Sequence, residues 1–159
     1  MGMMTVYILF GSVLFSTLSV LSWIDAKTFR LPNLLTLPLI GFGLAFAYLT
    51  PFGSLPSSLI GTFIGYSGFI LLEYGFRHFY KKEGLGRGDA KLLAAGGAWC
   101  GWVGLPYILL IASLCGLVFT QMPSYKSKAT SGDLNIPFGP FLSLGIAVIW
   151  LGQAYFALR

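Results

Sequence analysis

Apolar runs of about 16 to 20 residues follow one another along this chain with little between them, as helices that span a lipid bilayer require. Only 9% of the 159 residues are charged, while 56% are hydrophobic. A soluble domain of this size needs far more charge to cover its surface. The runs are continuous and do not alternate, which excludes the short two-sided strands of an outer-membrane barrel. The sequence therefore predicts an all-α integral membrane protein.

Turn signals rich in proline and glycine separate the apolar runs. No stretch of the chain has the composition of a separate soluble domain. We therefore predict a single membrane-embedded domain over residues 1–159, a polytopic bundle of about six transmembrane helices. The predicted spans are 5–23, 34–49, 57–76, 89–103, 105–121 and 137–158.

The division of residues 91–121 is open, because they can form either one long helix or two short ones. Gly104 and Pro106 favour a break between two helices. Against it, two helices of about 15 residues would each rise only about 22 Å, less than the usual hydrocarbon core.

The net charge of +5 indicates membrane topology and not nucleic-acid binding, because the basic residues lie in the gaps between apolar runs. With six spans, nine of the ten basic residues fall on one side, and only Arg159 falls on the other. Basic loops stay in the cytoplasm, so the N-terminus is predicted to be outside. A five-span layout keeps eight of ten together, so charge does not decide between the two. The nine are Lys27, Arg30, Arg77, Lys81, Lys82, Arg87, Lys91, Lys126 and Lys128.

Two of the five acidic residues stand at the ends of apolar runs. Asp25 follows the first run and Asp89 begins the fourth. Two spans separate them, an even number, so both must return to the same membrane face. Two carboxylates at one boundary can share a proton, as in an aspartyl protease. One carboxylate then takes a proton from water, while the protonated partner polarises the scissile carbonyl.

Each aspartate also has a simpler interpretation. Asp89, after Gly86 and Gly88, suits a helix N-cap, and the glycines suit either a tight turn or close approach to a peptide. Asp25 can be an interfacial acid balanced by Lys27 or Arg30. The spacing alone leaves these alternatives open.

The segments around both aspartates resemble the type IV prepilin peptidases, a branch of the intramembrane GxGD aspartyl proteases. The chain reads D-x5-LPN from Asp25, GxGDxKLL over 86–93, and IPFGPF over 136–141. GxGD alone is a weak signal, but these three motifs in this order on a chain of six spans are specific.

The resemblance implies cleavage of a basic leader from a pilin-like precursor at the cytoplasmic face of a bacterial or archaeal membrane, with Asp25 and Asp89 as the catalytic pair. Longer members of the family carry an N-terminal insert with CxxC motifs that is linked to methylation. The segment does not occur in these residues, so the resemblance implies a short, peptidase-only form.

Several neighbours of the aspartates are candidates to bind substrate or support the site. Lys91 either stabilises the ionised carboxylate or steers substrate, or it anchors to headgroups. Glu83 either binds the basic leader or is a solvated loop acid. Glu73 is the one acid well within a span. The remaining candidates, which would turn backbone donors towards a substrate strand, are Pro137, Gly139 and Pro140.

No cofactor is predicted, because a water-activating aspartate pair needs none. Cys100 and Cys115 lie apart within apolar runs, the chain has one histidine, and no HExxH motif occurs, so no zinc site is expected. Two alternative functions use the same features: a small proton- or ion-conducting protein with both aspartates as relay acids, or a non-catalytic scaffold of a secretion complex.

The charge pattern predicts that the loops at 24–33, 77–88 and 122–136 are cytoplasmic. Single cysteines at positions 81 or 126, in a cysteine-free background, should resist a membrane-impermeant thiol reagent in intact spheroplasts and react after lysis. Labelling from outside at either position would contradict the layout.

Overall fold

The computed structural model describes residues 2–50, 53–80, 86–121 and 137–159, without the side chains of residues 76, 77, 79 and 80. Within these ranges every regular element is a helix, which confirms the all-α prediction. Four of the helices are long and apolar enough to cross a membrane, and the second is a shorter apolar helix. The helices are α1 (Met3–Thr28), α2 (Asn33–Leu49), α3 (Leu55–Tyr80), α4 (Arg87–Thr120) and α5 (Gly139–Leu158).

Helix α4 is interrupted at Gly101, where φ is 71° and ψ is 175°. A Cβ placed on Gly96 would lie 3.2 Å from Cδ1 of Ile108, although twelve residues of a straight helix would separate them by about 18 Å. The chain therefore reverses at Gly101 into two arms, 87–100 and 102–120. When these two arms are counted separately, the described residues contain six helical segments.

The sequence suggested a break at Gly104 and Pro106. In the structure the break lies at Gly101, three residues before Gly104. The backbone angles at Gly101 belong to a region that essentially only glycine occupies, and this requirement has no signature in the sequence. Pro106 lies inside the second arm, near its beginning, where it removes one intrahelical hydrogen bond.

One backbone group beside this reversal, the Cys100 carbonyl, has a partner on a neighbouring helix. The side-chain amide of Gln153, on α5, donates a hydrogen bond of 2.9 Å to the Cys100 carbonyl. A helix end leaves carbonyls without intrahelical partners, and in lipid no water replaces them. Gln153 thus stabilises the break from a neighbouring helix.

Glycines let α3 and the first arm of α4 touch backbone to backbone. A Cβ on Gly61 would lie 2.6 Å from the Gly97 carbonyl oxygen, and one on Gly65 would lie 2.8 Å from that of Leu93. Small residues spaced four apart are the usual means of close helix packing in membranes. This contact fixes the arm that carries Asp89.

An aromatic cluster fills the core at the end of the bundle far from the aspartates. Tyr7, Phe46, Trp99 and Trp150 contact one another with ring centroids 5.1–6.3 Å apart. The Trp99 indole N–H donates to the Leu39 carbonyl at 2.9 Å. A cavity of about 840 Å³ lies beside this cluster and is lined by Gly101, so it is remote from Asp25 and Asp89.

We expect Gly101→Ala to lower the free energy of unfolding by about 1–3 kcal/mol, because φ is positive and the new Cβ would lie 2.6 Å from Oγ of Ser57. Gly68→Ala is the matched control, since nothing lies within 4 Å of a Cβ on that helical glycine. It should be neutral or stabilise by up to about 1 kcal/mol. Thermal unfolding in detergent micelles measures both, and equal stability of the two variants would contradict the reversal at Gly101.

Candidate functional site

Asp25 lies in the last turn of α1 and is only 5% exposed. Its carboxylate Oδ2 accepts a hydrogen bond of 2.9 Å from the backbone N–H of Gly139, the first residue of α5. An acid at the C-terminal end of a helix meets the negative end of the helix dipole. The N-terminus of α5 supplies the opposite end, so α5 compensates the position of Asp25.

The sequence around Gly139 is suited to this contact. A Cβ on Gly139 would lie 2.6 Å from Oδ2 of Asp25, so a side chain there would displace the carboxylate. Phe138, the N-cap of α5, makes no side-chain capping bond, and Pro140 has no N–H that needs a partner. Asp25 therefore caps α5 from another helix. Pro137 immediately precedes this start, and the N–H of Gly139, expected to face a substrate, donates instead to Asp25.

Asp89 is the third residue of α4, and Gly86 is the N-cap. The Asp89 N–H donates to the Gly86 carbonyl at 2.9 Å, and the Gly86 N–H donates back to the Asp89 carboxylate. The bond to the Asp89 carboxylate is one half of a capping box, in which the side chain at the third helical position accepts the N-cap N–H; Gly86 has no side chain to supply the other half. Asp89 therefore lies in the first turn of α4, three positions after the N-cap, and is not itself the N-cap that the simpler interpretation predicted.

The carboxylates of Asp25 and Asp89 lie close enough to interact electrostatically. Their backbones stay apart, since among the described residues no Cα atom of α1 lies within 8 Å of a Cα atom of α4. The two carboxylates therefore interact although the backbones of α1 and α4 do not pack against each other.

The segment after Asp25 also contacts the residues around Asp89. A Cβ on Gly88 would lie 2.9 Å from Cβ of Leu31, which is buried. The ammonium group of Lys91 donates a hydrogen bond to Oδ1 of Asn33. The D-x5-LPN and GxGDxKLL motifs therefore form one unit in space. From the sequence, the expected partner of Lys91 was a carboxylate, a substrate or a lipid headgroup; Asn33 was not among the candidates.

The structure describes only one of the two other acidic candidates. Glu83 lies outside the described residues. Glu73 is half-buried on α3, about two turns before the helix ends at Tyr80. It therefore lies deeper within a helix than the shorter predicted span implied.

Metal binding finds no support in the part of the chain that the structure describes. No group of three or more His, Cys, Asp or Glu side chains there could hold an ion. Cys100 and Cys115 are free thiols, and Cys100 is buried. Among the described residues, the site brings together two carboxylates and the backbone N–H groups that bind them.

Comparison with known proteins relates the chain to one family. The model of the type IV leader peptidase family matches residues 12–121, which include both aspartates. A prepilin leader peptidase/N-methyltransferase of Pectobacterium carotovorum subsp. carotovorum is 44% identical over 133 residues, 84% of this chain and 47% of the relative. The protein of that name from Escherichia coli (strain K12) is 45% identical over 125 residues, 79% and 55% of the two chains.

The chain thus spans about half the length of the curated relatives it matches. A third relative of the same name, from Aeromonas hydrophila, is 42% identical over 132 residues, 82% of this chain and 45% of its own. No solved structure gives a significant match.

We expect Asp25→Leu to be less stable than Asp25→Asn by about 1–3 kcal/mol, because leucine leaves the buried N–H of Gly139 without an acceptor. Both substitutions remove the charge, so the difference isolates the hydrogen bond. Unfolding of the two variants in the same detergent measures it. Equal stability would mean that Asp25 does not cap α5.

Proposed function

Because the chain belongs to the type IV leader peptidase family, we propose that it is a membrane aspartyl endopeptidase in which Asp25 and Asp89 activate water. The observation that carries the proposal is that the segment after Asp25 contacts both sides of Asp89, through Leu31 on Gly88 and Asn33 on Lys91, so that the two carboxylates interact at one end of the bundle. The family relationship does not favour the ion-conducting or scaffold alternatives.

In the proposed mechanism, the two carboxylates share one proton. Like charges at close range do not both ionise easily, so a pair holding one proton persists over a broad pH range. The ionised carboxylate removes a proton from a water molecule bound between the two carboxylates as that water attacks the scissile carbonyl. The protonated carboxylate polarises the carbonyl oxygen and then protonates the leaving amine.

The backbone N–H groups of Gly86 and Gly139 position the reacting oxygens. Each carboxylate accepts one of these bonds, and each donor belongs to the first turn or the N-cap of a helix. The carboxylates are thereby oriented before a substrate arrives, which reduces the reorganisation needed during the reaction. The remaining carboxylate oxygens are available to water and to the peptide.

We propose that the substrates are type IV pilin-like precursors, since the relatives are named prepilin leader peptidases, and that the leader is basic, as the motifs around the two aspartates imply. A multi-pass protein of the bacterial inner membrane fits both the apolar helices and these relatives. The site is placed at the cytoplasmic face in this proposal, because Lys27, Arg30, Arg87 and Lys91 all lie within a few residues of the aspartates.

We expect Asp25→Asn and Asp89→Asn each to reduce cleavage by several orders of magnitude while leaving membrane insertion intact. The amide keeps the shape of the carboxyl group and an acceptor for its backbone donor, but loses the acid–base function. The assay incubates purified protein in detergent with candidate pilin precursors and a chelator, and sequences the N-terminus of the product.

Glu73→Gln is the matched control, since it makes the same acid-to-amide change on α3 and should have a mild effect. Near-normal turnover by either aspartate variant would exclude that residue from the pair. Complete loss of cleavage with Glu73→Gln would point to a different pair of reacting acids.

A further inference from the structure

The connection from α1 to α2 is joined to the start of α4 at two points that flank Asp89. Before Asp89, the Leu31 side chain packs against the bare Cα of Gly88. After Asp89, the Lys91 ammonium donates to Oδ1 of Asn33, the first residue of α2. Both contacts are made by residues that lie shortly after Asp25 in the chain, Leu31 and Asn33.

Direct packing of α1 on α4 does not set the separation of the two aspartates, because no Cα atom of α1 lies within 8 Å of a Cα atom of α4 in the described residues. Helix α5 packs on both α1 and α4, and its contacts with the first arm of α4 at Gly96 and Cys100 lie about two turns or more from Asp89. Beside Asp89 itself, α4 is contacted by the connection between α1 and α2. The separation of Asp25 and Asp89 therefore depends on that connection as well as on α5.

The connection is short and conformationally restricted, so a contact at its far end is transmitted to Asp25. Phe29 adopts a left-handed conformation with φ of 52°, and its N–H bonds to the Asp25 carbonyl at 2.9 Å. Pro32 fixes φ immediately before Asn33. Few rotatable backbone bonds remain between the last turn of α1 and the residue that Lys91 holds.

We propose that Lys91 and Asn33 form a positioning pair that fixes the separation of the Asp25 and Asp89 carboxylates. The bond is charge-assisted and therefore stronger than one between neutral groups. Leu31 against Gly88 sets the closest approach of the connection to α4, and the Lys91–Asn33 bond keeps it there. The expected effect of this pair on cleavage rests on the proposed function, whereas its effect on the separation of the two carboxylates does not.

A competing role for Lys91 is direct contact with a substrate or a headgroup. An ammonium group has three donors, so its bond to Asn33 leaves two for other partners. The two roles differ in what Asn33 does. A positioning pair needs Asn33 as much as Lys91, whereas a substrate contact does not need Asn33 at all.

The first experiment measures the separation without using activity. Cysteines replace Asp25 and Asp89 in a background with Cys100→Ala and Cys115→Ala, and bifunctional methanethiosulfonate reagents of increasing length are applied to the protein in detergent. Adding Lys91→Met or Asn33→Ala should shift the shortest reagent that cross-links efficiently to a longer one. Asn33→Asp keeps the acceptor and should retain the parent profile.

Lys27→Met is the matched control, because it removes a basic side chain from the same end of the bundle. The Lys27 ammonium lies 4.0 Å from the Trp23 ring centroid within α1, so its loss should not change the cross-linking profile. An unchanged profile in both Lys91→Met and Asn33→Ala would overturn the proposal.

The second experiment is a double-mutant cycle on cleavage of a pilin precursor. Lys91→Met and Asn33→Ala should each lower kcat by about 10- to 100-fold with little change in KM, since a misplacement of about 1 Å can cost this much. The double variant should be no worse than either single variant, because both remove one interaction. Asn33→Asp should keep most of the parent kcat.

A rise in KM with Lys91→Met, while Asn33→Ala behaves as the parent, would overturn the proposal in favour of a substrate contact. If the parent protein cleaves no precursor, the proposed function fails, and the cross-linking profiles alone support or overturn the positioning pair.

Discussion

Within a bilayer every backbone N–H and carbonyl group needs a partner from the protein itself, and the site described here follows from that requirement. Straight helices satisfy it along their length, but a helix that begins or breaks inside the bundle does not. Helix α5 begins beside Asp25, and α4 breaks at Gly101. In both places a side chain from another helix supplies the missing partner: the Asp25 carboxylate for one, and the Gln153 amide for the other.

Asp25 therefore has two functions that constrain each other. As the cap of α5 it must be buried and must accept the N–H of Gly139, and as a reacting group it must keep an oxygen available to water. A carboxylate satisfies both, because it has two oxygens and several lone pairs. Asparagine satisfies the structural requirement alone, and leucine satisfies neither. The two requirements can thus be separated at a single position.

The sequence predicted those features that depend on the order of elements along the chain. The apolar runs predicted the all-α membrane fold, and counting the spans between Asp25 and Asp89 predicted that both lie at one end. Gly104 and Pro106 indicated a break within 91–121. The break itself lies at Gly101, where a positive φ and close contact with Ser57 of α3 require glycine.

The partners of the key side chains were less accessible to sequence reasoning. Asp25 at a helix C-terminus signalled that something must compensate it, yet nothing in its neighbourhood pointed to Gly139, 114 residues later. Asn33 and Lys91 are 58 residues apart, and each taken alone is an ordinary interfacial residue. Such pairs depend on how α1, α2, α4 and α5 pack together. The pattern of residues within each segment does not specify that packing.

The bond between Asp25 and Gly139 also bears on the order in which the protein is made. Ribosomes add roughly 5–20 residues per second, so at least about six seconds separate the synthesis of these two residues. During that interval Asp25 lacks the N–H group of α5 that it binds in the folded protein. The carboxylate pair reaches its final arrangement only after α5 has entered the bilayer. A nascent chain that stalls between Asp89 and Gly139 therefore contains both aspartates but lacks the arrangement that we propose for cleavage.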